Sequence, residues 1–262
     1  MRIDMSYEHD PVAFLSDEFL TLCLQEKSEL VEKFLADNSE VSKLLQSVGY
    51  KFEKLKPIEL EALYEVGMRV TSLELGAPDE LLFIDADDCR DIVSFFPRLE
   101  KLSIVKCQTL TRACFELFLE LSDLAFLNLR GVSVTDDALQ GFRQLHELRL
   151  FECETVTDRV LKLISTFEDL NALEISGFKN EELTDIGFGH LRSLANLTCL
   201  NISRNPKLTD NALDYVLQID SLQSLDISFC DQLTESGIEQ AKKLEQVTLQ
   251  AEQSSADFNN PL

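Results

Sequence analysis

The chain has 262 residues, 45% of them hydrophobic, and carries 47 acidic against 24 basic side chains for a net charge of −23. That balance excludes the basic footprint of a nucleic-acid binder and disfavours an anionic membrane surface. It suits a basic protein partner, and it equally suits plain solubility of an elongated chain. The excess is not a tail effect: residues 1–66 hold 7 basic and 14 acidic residues, and the remainder holds 17 and 33.

Residues 1–10 carry Asp4, Glu8 and Asp10 and lack the basic-then-apolar layout of a signal peptide, so a flexible tail is expected. No run of 18 apolar residues follows anywhere, which predicts no transmembrane helix. The seven cysteines are scattered, with no C-x-x-C and no Cys/His cluster. They read as reduced thiols in a cytoplasmic compartment. The nucleus, or a host cell if the chain is bacterial, is the alternative compartment.

Residues 11–68 read as a helical module. Ser16 precedes Asp17, Glu18, Phe19 and Leu20, a cap, an acidic first turn and an apolar face. Ser28-Glu29 and Ser39-Glu40 open two further runs, and Pro57 suits the first turn of a fourth that Gly67 closes. Between 78 and 97 comes an acidic stretch with Asp85, Asp87 and Asp88. It lacks the glycine and the glutamate that a calcium-binding EF-hand loop requires, so it predicts a helix start before Ile92 and Val93.

From about 69 to 250 one phrase recurs. Leu222, Leu225 and Ile227 are followed by Cys230 and then by Leu233-Thr234-Glu235. The second leucine of each copy falls at 73, 102, 127, 148, 173, 200, 225 and 247 (valine in the last), with steps of 21 to 29 residues. L-x-L is period two, so both apolar residues face one side of a short strand. The threonine marks a helix start. The acid after it (Asp136, Asp158, Asp185, Asp210, Glu235) suits the positive end of the helix dipole. One copy cannot bury its own leucines, so the copies must stack. Residues 251–262 are polar and are expected to form a second flexible tail.

The pattern L-x-x-L-x-L-x-x-C-x-x-L-T-D resembles the cysteine-containing subclass of leucine-rich repeats, as in F-box/leucine-rich-repeat substrate receptors and the antagonist-of-mitotic-exit family. Cys107, Cys153 and Cys230 fill the cysteine position, while Val132, Phe178 and Asn205 replace it. The resemblance implies an α/β solenoid of about 7–8 repeats, with parallel strands on the concave face, helices on the convex face and a small N-terminal helical cap. It also implies two roles for the segment ahead of the repeats. One is a cap over the open end of the core. The other is an F-box-like module docking a Skp-type ubiquitin-ligase adaptor through residues 11–50, where Phe14-Leu15-Ser16-Asp17-Glu18 is similar in outline to the F-box opening.

Strand alternation then picks out the open face. The residue between the two apolar positions is Asn128, Arg149 and Glu174 in three successive copies; the flanking positions add Phe126, Arg130, Glu147 and Phe151. Aromatic and arginine side chains carry interface hot spots, so these seven form the predicted partner-binding patch. The alternative is that the two phenylalanines shield strand backbone and bind nothing. Later copies offer small polar groups instead: Asn201, Ser203, Ser224 and Ser228. Cys107, Cys153 and Cys230 are predicted to pack in the core and Cys199 to be exposed. No nucleotide, hydrolase or metalloprotease motif occurs. No enzyme activity, cofactor or metal is expected.

Overall fold

The computed structural model describes residues 67–153, 155–177, 182–242 and 248–251. The predicted tail at 1–10, the adaptor-docking stretch 11–50 and nearly all of the tail at 251–262 lie outside the described residues. The described residues belong to two compact units, one ending at Leu124 and one beginning at Ala125.

The first unit runs β1 (Ser72–Leu75), α1 (Ala86–Phe95), β2 (Lys101–Val105) and α2 (Arg112–Phe118). β1 and β2 are parallel, with Leu73 opposite Leu102 and Leu75 opposite Ile104. Parallel neighbours need a crossover, and α1 supplies it. The acidic stretch does the helix-starting job predicted for it. Asp85 accepts hydrogen bonds from the Asp87 and Asp88 amides, and Asp88 accepts from the Asp85 amide, a reciprocal capping box. Ile92 and Val93 are buried one turn later.

The second unit runs β3 (Phe126–Arg130), β4 (Glu147–Phe151), α3 (Asp158–Ile164), β5 (Ala172–Ser176), α4 (Asp185–His190), a 3-10 turn at Leu191–Ser193, β6 (Cys199–Asn201), α5 (Asp210–Val216), β7 (Ser224–Asp226), α6 (Glu235–Lys242) and β8 (Thr248–Gln250). The strands pair in chain order, all parallel, in a register that aligns Leu127, Leu148, Leu173, Leu200, Leu225 and Leu249, so that in the last copy Leu249, and not the predicted Val247, stands opposite Leu225. The period-two rule therefore holds across copies as well as within them. Leu127, Leu129, Leu148 and Leu150 are at most 1% exposed, and they share the core with Val160, Leu161 and Ile164 of α3. The step from β3 to β4 is the shortest at 21 residues, and it contains a turn in place of a helix. There Ala138 N–H bonds the Thr135 carbonyl and Gln140 N–H the Asp137 carbonyl, while Ala138, Leu139 and Phe142 still fill the core.

Two devices tie copy to copy in this unit. After the strand the chain turns through a left-handed residue: Gly131, Glu152, Arg204 and Phe229 all have φ between 54° and 59°. The next residue drops into the core, and where it is cysteine or asparagine it donates backwards. Cys153 Sγ reaches the Leu129 carbonyl at 3.3 Å, Asn205 Nδ2 the Ile175 carbonyl at 2.7 Å and Cys230 Sγ the Ile202 carbonyl at 3.3 Å. The recurring cysteine thus satisfies a carbonyl at the end of the preceding strand, and Asn205 does the same in one of the copies that lack it. The described cysteines Cys107, Cys153 and Cys230 are buried as expected.

The second device gives the acid after threonine a further role beside its place in the first turn of its helix. Asp158 accepts from both the backbone N–H and the hydroxyl of Thr184, the corresponding threonine one copy on, at 2.8 and 2.6 Å. Asp185 does the same to Thr209, and Asp210 to Thr234. The approach needs a small residue at the third helical position of the next helix, and Gly187, Ala212 and Gly237 provide it. A Cβ on Gly187 would lie 2.8 Å from Asp158 Cγ, and one on Gly237 would lie 2.9 Å from Asp210 Oδ2. Where that position is Val160, Asp136 bonds the Thr157 hydroxyl at 2.7 Å and turns its other oxygen to Arg159.

Candidate functional site

All seven predicted residues lie on β3, β4 and β5, on the face that alternates with the buried leucines. Phe126 is opposite Glu147, Asn128 opposite Arg149, Arg149 opposite Glu174, and Arg130 opposite Phe151. The register brings together residues that are up to 48 positions apart in sequence.

The two arginines and the two phenylalanines interlock across β3 and β4. The Arg130 guanidinium carbon lies 4.8 Å from the centroid of the Phe151 ring, and that of Arg149 lies 5.3 Å from Phe126. Each contact is worth about 0.5–1 kcal/mol at such exposure. Arg149 is also gripped by Glu147, whose Oε1 is 2.6 Å from one terminal nitrogen and 2.7 Å from Nε. Glu174 Oε2 lies at 3.9 Å. Arg130 Nε is 3.6 Å from Glu152 Oε2, beyond hydrogen-bond reach. Exposed ion pairs of this kind contribute little to stability. Their consequence is order: the guanidinium planes are held over the rings before a partner arrives, which lowers the entropy lost on binding. Arg149 nonetheless keeps 48% of its side-chain surface open to solvent.

The later copies differ from the sequence reading. Ser203 and Ser228 are buried, each 6% exposed, so the accessible polar groups there are Asn201, Ser224 and Asp226. Strand alternation also missed a third stack. Arg204 lies over Phe229 at 5.2 Å. Both residues occupy the left-handed position after their strands, where counting by twos no longer predicts direction. The available signal was a non-glycine residue immediately before the cysteine or asparagine position.

Cys199 is exposed, as expected, and its neighbouring polar atom is the Thr198 hydroxyl at 3.8 Å, not a base. Burial pushes the Cys153 thiol up to about 12 and the Cys230 thiol up to about 11, despite nearby backbone N–H groups that favour the thiolate. Neither is poised for chemistry. Among the described residues no group of three His, Cys, Asp or Glu side chains could hold a metal ion, and no helix is long and apolar enough to cross a membrane.

The strand-then-helix copies in parallel register match known structures. Similar folds include an internalin, InlF, from Listeria monocytogenes str. 4b F2365, at TM-score 0.54 and 18% identity over 80% of this chain and 55% of that one. An internalin C2 from the same strain aligns at 0.51 and 15%, over 80% of this chain and 91% of that one. TLR13, solved in complex with ssRNA13, aligns at 0.52 and 16%, over 74% of this chain and 31% of that one. The fold is a leucine-rich repeat. At these identities the likeness carries the fold alone, and the chain spans about half of InlF and under a third of TLR13. No protein-family model matches the chain, and no curated protein matches it in sequence.

Proposed function

We propose that this leucine-rich-repeat chain is a non-enzymatic binding module that holds a protein partner against the open face of β3, β4 and β5. The observation that carries this reading is the pair of arginine–phenylalanine stacks across adjacent strands, one of them fixed by the Glu147–Arg149 ion pair, with both arginines left accessible. A surface with pre-ordered aromatic and guanidinium groups has the composition of a hot-spot centre. The acidic excess of the chain argues for a protein over a phosphate backbone as the ligand.

The test begins with binders selected against the immobilised full chain from a displayed protein library. Phe151→Ala and Arg149→Glu should each weaken the selected binders by about 2 kcal/mol or more. Lys162→Glu on α3 should leave them unchanged. Binders lost with the α3 variant, and indifferent to the two face variants, would remove β3–β5 from consideration.

The order of the chain, a helix-patterned segment followed by repeats with the cysteine-containing phrase, favours a second reading. In it, the protein is an F-box-like substrate receptor, or a bacterial effector imitating one, whose residues 11–50 dock a Skp-type adaptor. Co-purification with such an adaptor, lost on deleting 11–50 and retained by Phe151→Ala, is its expected signature. Failure of the full chain to retain the adaptor rejects it.

A further inference from the structure

We propose that a trench crossing β5, β6 and β7 receives lysine or arginine side chains from an extended basic segment of the partner. This inference rests on the open face being the binding surface, and it names the chemistry that the surface selects.

The trench follows from register. Ala172, Cys199 and Ser224 are aligned across the three strands and make a floor of short side chains. The next outward row, Glu174, Asn201 and Asp226, is aligned in the same way and makes a longer polar wall. Glu147 and Arg149 on β4 close one end, and the groove, open to solvent, offers about 270 Å³. That is below the range of small-molecule pockets and suits single long side chains of a peptide.

Charge decides which peptide. Three carboxylates (Glu147, Glu174 and Asp226) line the trench against one guanidinium, Arg149. That guanidinium is already bonded to Glu147 and stacked on Phe126, so it is spoken for within the chain. Glu174 accepts the Ser176 hydroxyl at 2.8 Å, and Asp226 accepts the Ser228 amide at 2.9 Å. A carboxylate has about four acceptor sites, so each retains capacity for a cation. An apolar side chain laid here would strip water from carboxylates without replacing it. An acidic peptide would meet like charge along the wall and at the β4 end. A guanidinium or ammonium is complementary to the wall, and its aliphatic stem fits over Ala172 and Cys199.

The experiment uses fluorescence anisotropy with the full chain, a fluorescein-labelled peptide of alternating arginine and serine, and a glutamate–serine counterpart, at physiological salt. The arginine peptide should bind and the glutamate peptide should not. The double variant Glu174→Gln/Asp226→Asn should weaken binding at least tenfold. The double variant Asp214→Asn/Glu239→Gln removes the same charge from α5 and α6 and should change it less than twofold. Equal losses in the two double variants would mean non-specific attraction to an acidic protein and would overturn the assignment, as would absence of arginine-peptide binding or preference for the glutamate peptide. Library binders that depend on Phe151 but ignore Glu174→Gln/Asp226→Asn would overturn the trench assignment while leaving the open-face reading intact.

Discussion

Gly187→Ala should destabilise the protein, although it places a better helix former inside α4. In an exposed helix the exchange is worth about 1 kcal/mol in favour of alanine. Here the added methyl group would fall inside van der Waals contact of the Asp158 carboxylate, at 2.8 Å from its Cγ and 3.0 Å from Leu161 Cδ1. The carboxylate cannot swing aside without releasing the Thr184 amide and hydroxyl. Two charge-assisted bonds, discounted for partial exposure, are worth about 2–3 kcal/mol together. The net expectation is a loss of about 1–2 kcal/mol, read as a lower urea midpoint by circular dichroism. The decisive measurement is the double variant. In an Asp158→Ala background the carboxylate is gone and only the flexible end of Leu161 remains close, so Gly187→Ala should become stabilising by up to about 1 kcal/mol. Hydrogen exchange at the Thr184 amide should accelerate in both single variants. If Gly187→Ala stabilises the otherwise native chain, or if the two substitutions are additive, the interlocking role of the aspartate is refuted.

Leu148→Ala removes a side chain that is 0% exposed in the middle of the leucine ladder and should cost about 2–5 kcal/mol by leaving a cavity, measured by the same denaturation. Asn205→Cys should be tolerated within about 1 kcal/mol, because cysteine makes the equivalent bond at 153 and 230. Asn205→Leu should cost about 2 kcal/mol or more, because the Ile175 and Ile202 carbonyls both lose the amide donor that serves them. A thiol reagent at pH 8 should modify Cys199 in the native chain and reach Cys153 and Cys230 only on unfolding, as resolved by mass spectrometry. Those two thiols have folded pKa values raised above the unfolded one near 9, so the stability they confer is complete below pH 9 and falls as pH climbs towards 11 and 12. Cys153→Ala should flatten that fall; an unchanged slope would contradict it.

The residues themselves determined the repeating unit. L-x-L has one solution as a half-buried strand, threonine followed by an acid has a strong preference as a helix start, and regular recurrence requires stacking. Those are local rules with a period of two or a fixed cap position, and β1 to β8 follow them. The same alternation placed Phe126, Asn128, Arg130, Glu147, Arg149, Phe151 and Glu174 on one face, because direction along a strand is set by parity alone.

Tertiary structure decided what depends on distance between copies. The bond from Asp158 to Thr184 spans 26 residues, and nothing local distinguishes it from a dipole contact. The same is true of the donor role of Cys153, Asn205 and Cys230, each directed at a carbonyl 24 to 30 residues earlier. The Arg204–Phe229 stack arose where a left-handed residue ends the strand and breaks the parity that had served up to that point. Whether Arg149 stacks on Phe126 or stands free of it could not be read from its position, since register between strands is a property of the sheet. Short-range sterics and capping write themselves into sequence, whereas contacts made by stacking exist only once the stack has formed.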